Sequence, residues 1–146
     1  MAVKEVPSPI KRNVLLVAHR TIASPTLREF LMRRRSEMSF TLVVPDAAGA
    51  LTNADTTAAI DELRGAGLIT DVRFGDRDPL LAVADHWDPR RFDAIVVSTF
   101  APASSRWLAA ALPRRIEKLT GALVTEIHST SRMPPPSPRQ AVERYA

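Results

Sequence analysis

Asp93-Ala-Ile-Val-Val-Ser-Thr-Phe-Ala-Pro-Ala-Ser-Ser-Arg-Trp107, a helical stretch, and then Gly121-Ala-Leu-Val-Thr-Glu-Ile127 form the part of the chain whose reading decides the fold. Ala94 to Val97 is a continuous apolar run rich in β-branched residues, the pattern of a strand covered on both faces. Ser98 to Ser105 is small and polar, as the loop leaving such a strand should be. From Trp107 onward, Leu108, Leu112, Ile116 and Leu119 recur near helical spacing, and Gly121 stands where a glycine ends a helix. Leu123, Val124 and Ile127 read as another strand. Strand, loop, helix and strand in this order make one α/β unit, and such units bind ligands at the loop that leaves the first strand.

Working outward, Val14-Leu-Leu-Val-Ala18 predicts a buried first strand with His19-Arg20-Thr21 at its carboxyl end. Ser24 and Pro25 suit the N-cap and first turn of a helix whose apolar stripe is Leu27, Phe30, Leu31 and, at its end, Met38. Arg33-Arg34-Arg35 reads as a solvated last turn, where cations suit the helix dipole, with an anion patch as the alternative. Phe40 to Val44 is a second strand stopped by Pro45-Asp46. A small polar loop from Ala47 to Ala54 leads to a second helix, capped by Asn53 or Asp55, carrying Ile60 and Leu63 and ended by Gly65 and Gly67. Leu68 to Phe74 is a third strand. After Gly75-Asp76-Arg77, Asp78 and Pro79 open a third helix that buries Leu80, Val83, Ala84 and Trp87.

Five buried strands alternating with four helices predict an α/β fold: a doubly wound five-stranded parallel sheet with helices on both faces. Residues 13–128 form this single domain, 1–12 an N-terminal tail, and 129–146, with its Met133-Pro-Pro-Pro-Ser-Pro-Arg139 run, an extended Pro-rich tail.

Composition narrows the function classes. No apolar run approaches the roughly 20 residues that span a bilayer, and the N-terminus carries no apolar signal core, so no membrane and no export are expected. The chain has no cysteine, which excludes disulfides and thiolate metal sites and points to a cytoplasmic protein. Between Asn13 and His128, 14 Lys and Arg face 14 Asp and Glu, so the formal +4 lies in the two tails. A nucleic-acid partner, which would need a basic face on the domain, is not expected.

A parallel sheet opens all its strand-exit loops on one edge. That edge collects His19, Arg20, Thr21, Asp46, Gly75, Asp76, Ser98, Thr99, Ser104, Ser105, Arg106 and His128. Hydroxyls, an arginine and a helix N-terminus suit a small anion such as phosphate, sulfate or carboxylate. The plainer alternative is that Thr99, Ser104 and Ser105 only cap helices and turns. There is no P-loop, no glycine fingerprint after the first strand, and no Gly-x-Ser-x-Gly elbow.

Val14 to Thr21, Gly75-Asp-Arg-Asp-Pro79 and the whole Asp93–Ile127 unit resemble the universal stress protein family over nearly all of 13–128. Val17-Ala-His-Arg-Thr-Ile-Ala-Ser-Pro-Thr-Leu27, Ser105-Arg-Trp-Leu108 and Leu112-Pro-Arg-Arg-Ile116 resemble a divergent branch of it. The resemblance implies an adenine nucleotide alpha hydrolase-like fold with strand order 3-2-1-4-5 and a nucleotide between the first and fourth strands. ATP-binding members carry Gly-x-x-Gly, nine residues, then Gly-Ser or Gly-Thr. Here Ser98-Thr-Phe-Ala101 stands at the first pair of glycines, and Ala110-Ala111 or Ala111-Leu112 at the last. His19 replaces the acidic residue that commonly follows the first strand. Val44 matches the position that touches adenine.

The resulting candidate ligand set is Ala18, His19, Arg20, Thr21, Val44, Asp46, Gly75, Asp76, Ser98, Thr99, Ala101, Ser104, Ser105, Arg106, Ala111 and Leu112. The primary expectation is a non-enzymatic, regulatory or stress-related module with a diverged nucleotide site. A second is retained weak binding of adenine nucleotide, phosphate or sulfate in a ligand-dependent regulator. A third is a hydrolase or transferase using His19 and the strand-exit serines. The expected strand order separates His19 from His128 by the fourth strand, whereas general base catalysis needs contact within about 3 Å. Pro113 should kink or restart the helix near Leu112; a restart gives a second helix N-terminus close to where the family binds phosphate, and the alternative is that Pro113 merely fits the helix around the sheet edge. The apolar edge strand 123–127 predicts a homodimer, as the resemblance also implies; the alternative is that the tail from Ser129 to Ala146 folds back and covers the edge within one chain.

Overall fold

A computed structural model describes residues 11–46, 54–101 and 105–129. In chain order the elements are β1 (Arg12–Val17), α1 (Pro25–Arg34), β2 (Met38–Pro45), α2 (Ala54–Gly65), β3 (Asp71–Gly75), α3 (Pro79–His86), β4 (Ala94–Phe100), α4 (Arg106–Ala109), α5 (Leu112–Thr120) and β5 (Val124–Ser129). The five strands form one sheet in the order β3-β2-β1-β4-β5, and every neighbouring pair is parallel. This is the expected 3-2-1-4-5 arrangement.

The central strands are buried on both sides because both faces are apolar. Val14 and Leu16 of β1, with Leu42 and Val44 of β2, pack on one side against Leu27, Leu31, Ile60 and Leu63 of α1 and α2. Leu15, Val17, Val43, Ile95 and Val97 point the other way, onto Ala82 and Val83 of α3 and Leu112 and Ile116 of α5. The helix starts follow from their capping chemistry. Ser24 Oγ accepts from Thr26 N–H at 3.1 Å, and Asp78 Oδ1 from Leu80 N–H at 2.9 Å. Gly121 ends α5 at φ 71°, with its N–H on Glu117 O. At β3, a side-chain hydrogen bond from Arg73 holds the Asp71 carboxyl below the usual carboxylate range.

Several expectations shift. Met38 starts β2 rather than closing the stripe of α1, because the turn after Arg34 has already ended that helix. β3 begins at Asp71, leaving Leu68 and Ile69 as buried connection residues. On α3 the buried residues are Ala82 and Val83; Ala84 is exposed, and Leu80 and Trp87 are half-buried at the edge of the core. Leu119 is 50% exposed and Leu123 is 66% exposed, outside the strand. β4 runs on to Phe100, so Ser98 and Thr99 are strand residues with buried side chains rather than loop residues. Arg12 and Ser129, assigned to the tails, are the outermost residues of β1 and β5. The expectations for residues 1–10, the loop 47–53 with Asn53, Ser104 and the tail 130–146 lie outside the described residues.

Candidate functional site

The carboxyl ends of β1 and β4 are where a doubly wound sheet reverses its winding, and they lie side by side here. After β1 the chain turns sharply: Ile22 N–H reaches His19 O at 3.3 Å, and Ser24 N–H reaches Thr21 O at 2.9 Å. This turn carries Thr21 inward and leaves Arg20 outward. Thr21 Oγ1 donates to Ser98 O at 3.2 Å and lies 2.7 Å from Ser98 Oγ. Both residues are almost completely buried. The two strand exits are therefore joined by a pair of hydroxyls at the point where a crevice would open.

The neighbouring polar side chains are also engaged. Thr99 Oγ1 donates to Phe100 O at 2.8 Å. Ser105 Oγ accepts from Leu108 N–H at 3.2 Å and caps α4. Asp76 Oδ1 accepts from Asp78 N–H at 2.9 Å, which shapes the turn into α3. Gly75 has a packing reason: a Cβ there would lie 2.7 Å from Ala82 Cβ and 3.0 Å from Ala82 Cα, so β3 meets α3 too closely for any side chain.

His19 is different. Its side chain is 18% exposed, and Nε2 sits 3.5 Å from Oδ2 of the fully buried Asp46. That Nε2 is itself buried and makes no hydrogen bond among the described residues. A separation of 3.5 Å is long for a hydrogen bond, and the contact is a full ion pair only when the imidazole carries a charge. Among the described residues no hydroxyl bonds to this ring, as proton abstraction would require. His128 lies on β5, across β4 from β1, and pairs with Glu126 at 2.9 Å.

The segment after β4 follows the proline. α4 stops at Ala109 and α5 starts at Leu112 with Pro113 in its first turn. The restart expected from Pro113 is thus present. The residue between them, Ala111, stands at φ 56°, ψ 38°, and it offers no side-chain cap to the helix that follows. It is the one non-glycine residue with positive φ among the described residues. Left-handed backbone suits glycine and costs alanine energy.

Of the candidate ligand residues, Ala18, Thr21, Val44, Asp46, Ser98, Thr99, Ser105 and Leu112 are buried, Ala101 is half-buried, and Arg20, Asp76, Arg106 and Ala111 are exposed. The sheet edge brings Thr21 to Ser98 and His19 to Asp46. Arg106, the first residue of α4, is exposed to solvent away from both pairs, and Ser104 lies outside the described residues. Two features were missed in the sequence. Ser24 Oγ donates to Ser129 Oγ at 2.8 Å, tying the start of α1 to the end of β5; Ser24 had an obvious reading as a cap, and Ser129 looked like tail. The left-handed Ala111 left no residue-type signal, since alanine advertises helix.

No group of three or more His, Cys, Asp or Glu among the described residues is placed to hold a metal ion. No helix among them is long and apolar enough to cross a membrane. No protein-family model matches the chain, and no curated protein matches it.

Proposed function

We propose that this chain is a non-enzymatic, cytoplasmic regulatory module of universal stress protein type, acting as a homodimer, in which the nucleotide position between β1 and β4 is closed. The observation that carries this reading is the Thr21–Ser98 hydroxyl contact. A phosphate site at a switch point needs free donors and backbone that a phosphate can approach. Here the hydroxyls nearest that point spend their hydrogen bonds on each other and on the backbone. Ala101, and Ala110 or Ala111, add methyl groups where the resemblance implies glycine. The test is equilibrium dialysis with ATP, together with a thermal-shift series. The expected result is no saturable binding at micromolar ATP and no rise in Tm. A dissociation constant in the low micromolar range would overturn the reading, because ligand at 100 times that value stabilises the fold by about 2.7 kcal/mol.

One observation favours a second reading, a ligand-dependent regulator that takes a small anion. His19 Nε2 is buried and without a hydrogen bond among the described residues, and an oxyanion could accept from it once it is protonated. Phosphate or sulfate would then raise Tm in wild type and not in His19→Ala. A Tm that climbs equally in both would reduce the effect to general salt stabilisation.

A further inference from the structure

The formal charge between Asn13 and His128 balances along the chain, but the fold does not leave it balanced in space. β2, β1 and β4 start side by side, at the end of the sheet opposite the strand exits. Lys11 and Arg12, counted with the N-terminal tail, are on the domain: Arg12 opens β1, and its N–H donates to Glu37 O at 3.0 Å. Arg35 closes α1 two residues before that carbonyl. Arg90 and Arg91 belong to the turn that feeds β4, where Asp93 N–H donates to Asn13 O at 2.7 Å. Five cations thus gather around the start of the central strand, and all five are exposed.

Among the described residues none of these five side chains makes an ion pair or hydrogen bond. Two of the neighbouring acids are engaged with backbone: Asp93 Oδ2 accepts from Asn13 N–H, and Asp88 Oδ1 from Arg90 N–H, both at 2.9 Å. Glu37 is the third. Arg33 pairs with Glu29 at 3.6 Å and cancels it, whereas Arg34 lies over the Phe30 ring, 5.0 Å from its centroid. With Arg34, six cations face three carboxylates here, a formal +3. The dipole of α1 accounts for cations in its last turn. It does not account for Lys11, Arg12, Arg90 and Arg91, which are not helical.

The chemistry of the patch selects its partner. Four of the five are arginines, whose planar forks take phosphate oxygens in pairs. A single strand would need exposed rings on which to stack its bases. Phe30 lies under Arg34, Phe92 is buried against Trp87, and the exposed Phe74 is at the carboxyl end of β3. A bilayer surface is held by apolar insertion together with charge. Residues 11–13, 35–37 and 88–91 expose no large apolar side chain. The partner that charge alone can hold is phosphate fixed along a rigid duplex.

We infer that this end of the sheet binds the phosphate backbone of a nucleic-acid duplex, without sequence preference, through Lys11, Arg12, Arg35, Arg90 and Arg91. This goes beyond the proposed function. It uses the end of the sheet opposite the Thr21–Ser98 contact, so the ATP result and the duplex result are independent.

The test is fluorescence anisotropy of the full chain with short labelled DNA duplexes of two unrelated sequences, from about 50 to 200 mM KCl. Both duplexes should bind equally, and the log of the binding constant should fall against log[KCl] with a slope of about −4.5, about 0.9 for each of five phosphate contacts. Arg35→Ala/Arg91→Ala should flatten that slope by about 2 and weaken binding by on the order of tenfold per arginine at the lower salt. Both side chains are exposed, so Tm should not change. Arg114→Ala/Arg115→Ala, in the first turn of α5 at the other end of the sheet, should alter neither affinity nor slope. No saturable binding at the lowest salt would overturn the inference, and so would a slope that the Arg35/Arg91 variant leaves unchanged. Binding to phosphatidylserine vesicles but not to duplex would overturn it in favour of a membrane surface. Polyglutamate bound as tightly as duplex at the same salt would overturn phosphate as the recognised group.

Discussion

The exits of β1 and β4 and the corner between α4 and α5 were expected to flank the same ligand, yet they are built on opposite terms. At the strand exits, hydroxyl side chains find partners inside the protein: Thr21 with Ser98, Ser24 with Ser129, Ser105 with the α4 backbone. At the corner no side chain helps. Ala111 holds a left-handed backbone and gives α5 no cap. The first region is relaxed and the second is strained. Removing side-chain atoms should therefore destabilise the exits, and removing the Ala111 methyl should stabilise the corner.

The largest effect belongs to the hydroxyl contact. Thr21→Val keeps the shape but leaves Ser98 O and Ser98 Oγ without their partner in a buried place. An unsatisfied buried polar group costs about 1–3 kcal/mol, so the urea midpoint should fall accordingly with m unchanged. Ser98→Ala should cost less, because the residue at 98 keeps the carbonyl that accepts from Thr21. The two changes together should cost clearly less than their sum, since the double variant strands fewer groups. Strict additivity would mean the hydroxyls are not coupled, and the closed-exit picture would fail.

Next comes the cap. Ser105→Ala removes the acceptor for Leu108 N–H, and lost N-caps cost about 1 kcal/mol. α4 is a four-residue helix between β4 and a strained corner, so its loss should be local. Hydrogen exchange should rise at Leu108 and Ala109 before anything changes in β1. If protection falls across the whole sheet instead, the corner and the exits are one cooperative unit and the contrast between them disappears.

The fold was legible in the sequence because it depends on burial on two faces. A run such as Ala94–Val97 has no polar face to turn to water, so it must be a central strand, and five such runs with short connections leave few topologies. Strand ends were less legible. Ser98 and Thr99 look like loop residues until their hydroxyls find partners, and no sequence rule says that Thr21 will be one of those partners 77 residues away. The strand-exit residues Thr21 and Ser98 do meet at one edge of the sheet, but whether a hydroxyl faces a ligand or another hydroxyl is decided by tertiary distance. Leu119 and Leu123 fit a periodic pattern yet remain exposed, because periodicity cannot tell where the sheet edge ends.

The smallest effect has the most informative sign. Ala111→Gly would ordinarily destabilise, because glycine gains backbone freedom in the unfolded chain, worth about 0.4–1 kcal/mol. At φ 56° the balance reverses, since left-handed backbone costs an L-residue about 1–2 kcal/mol that glycine does not incur. The net gain should be roughly 0.5–1 kcal/mol, a few degrees in Tm for a chain of this size. Ala111→Val should move the other way, because a β-branched side chain tolerates this backbone still less. Position 111 is also one of the two places, with 110, where the resemblance puts the last glycine of an ATP-binding motif, so the same variant can be tested for nucleotide. On the proposed reading it should gain stability without gaining ATP affinity, because the Thr21–Ser98 contact is unchanged. A variant that becomes stable and binds ATP would place the obstruction at the corner rather than at the strand exits. A variant that loses stability like any glycine placed in a helix would mean that Ala111 is not left-handed in solution.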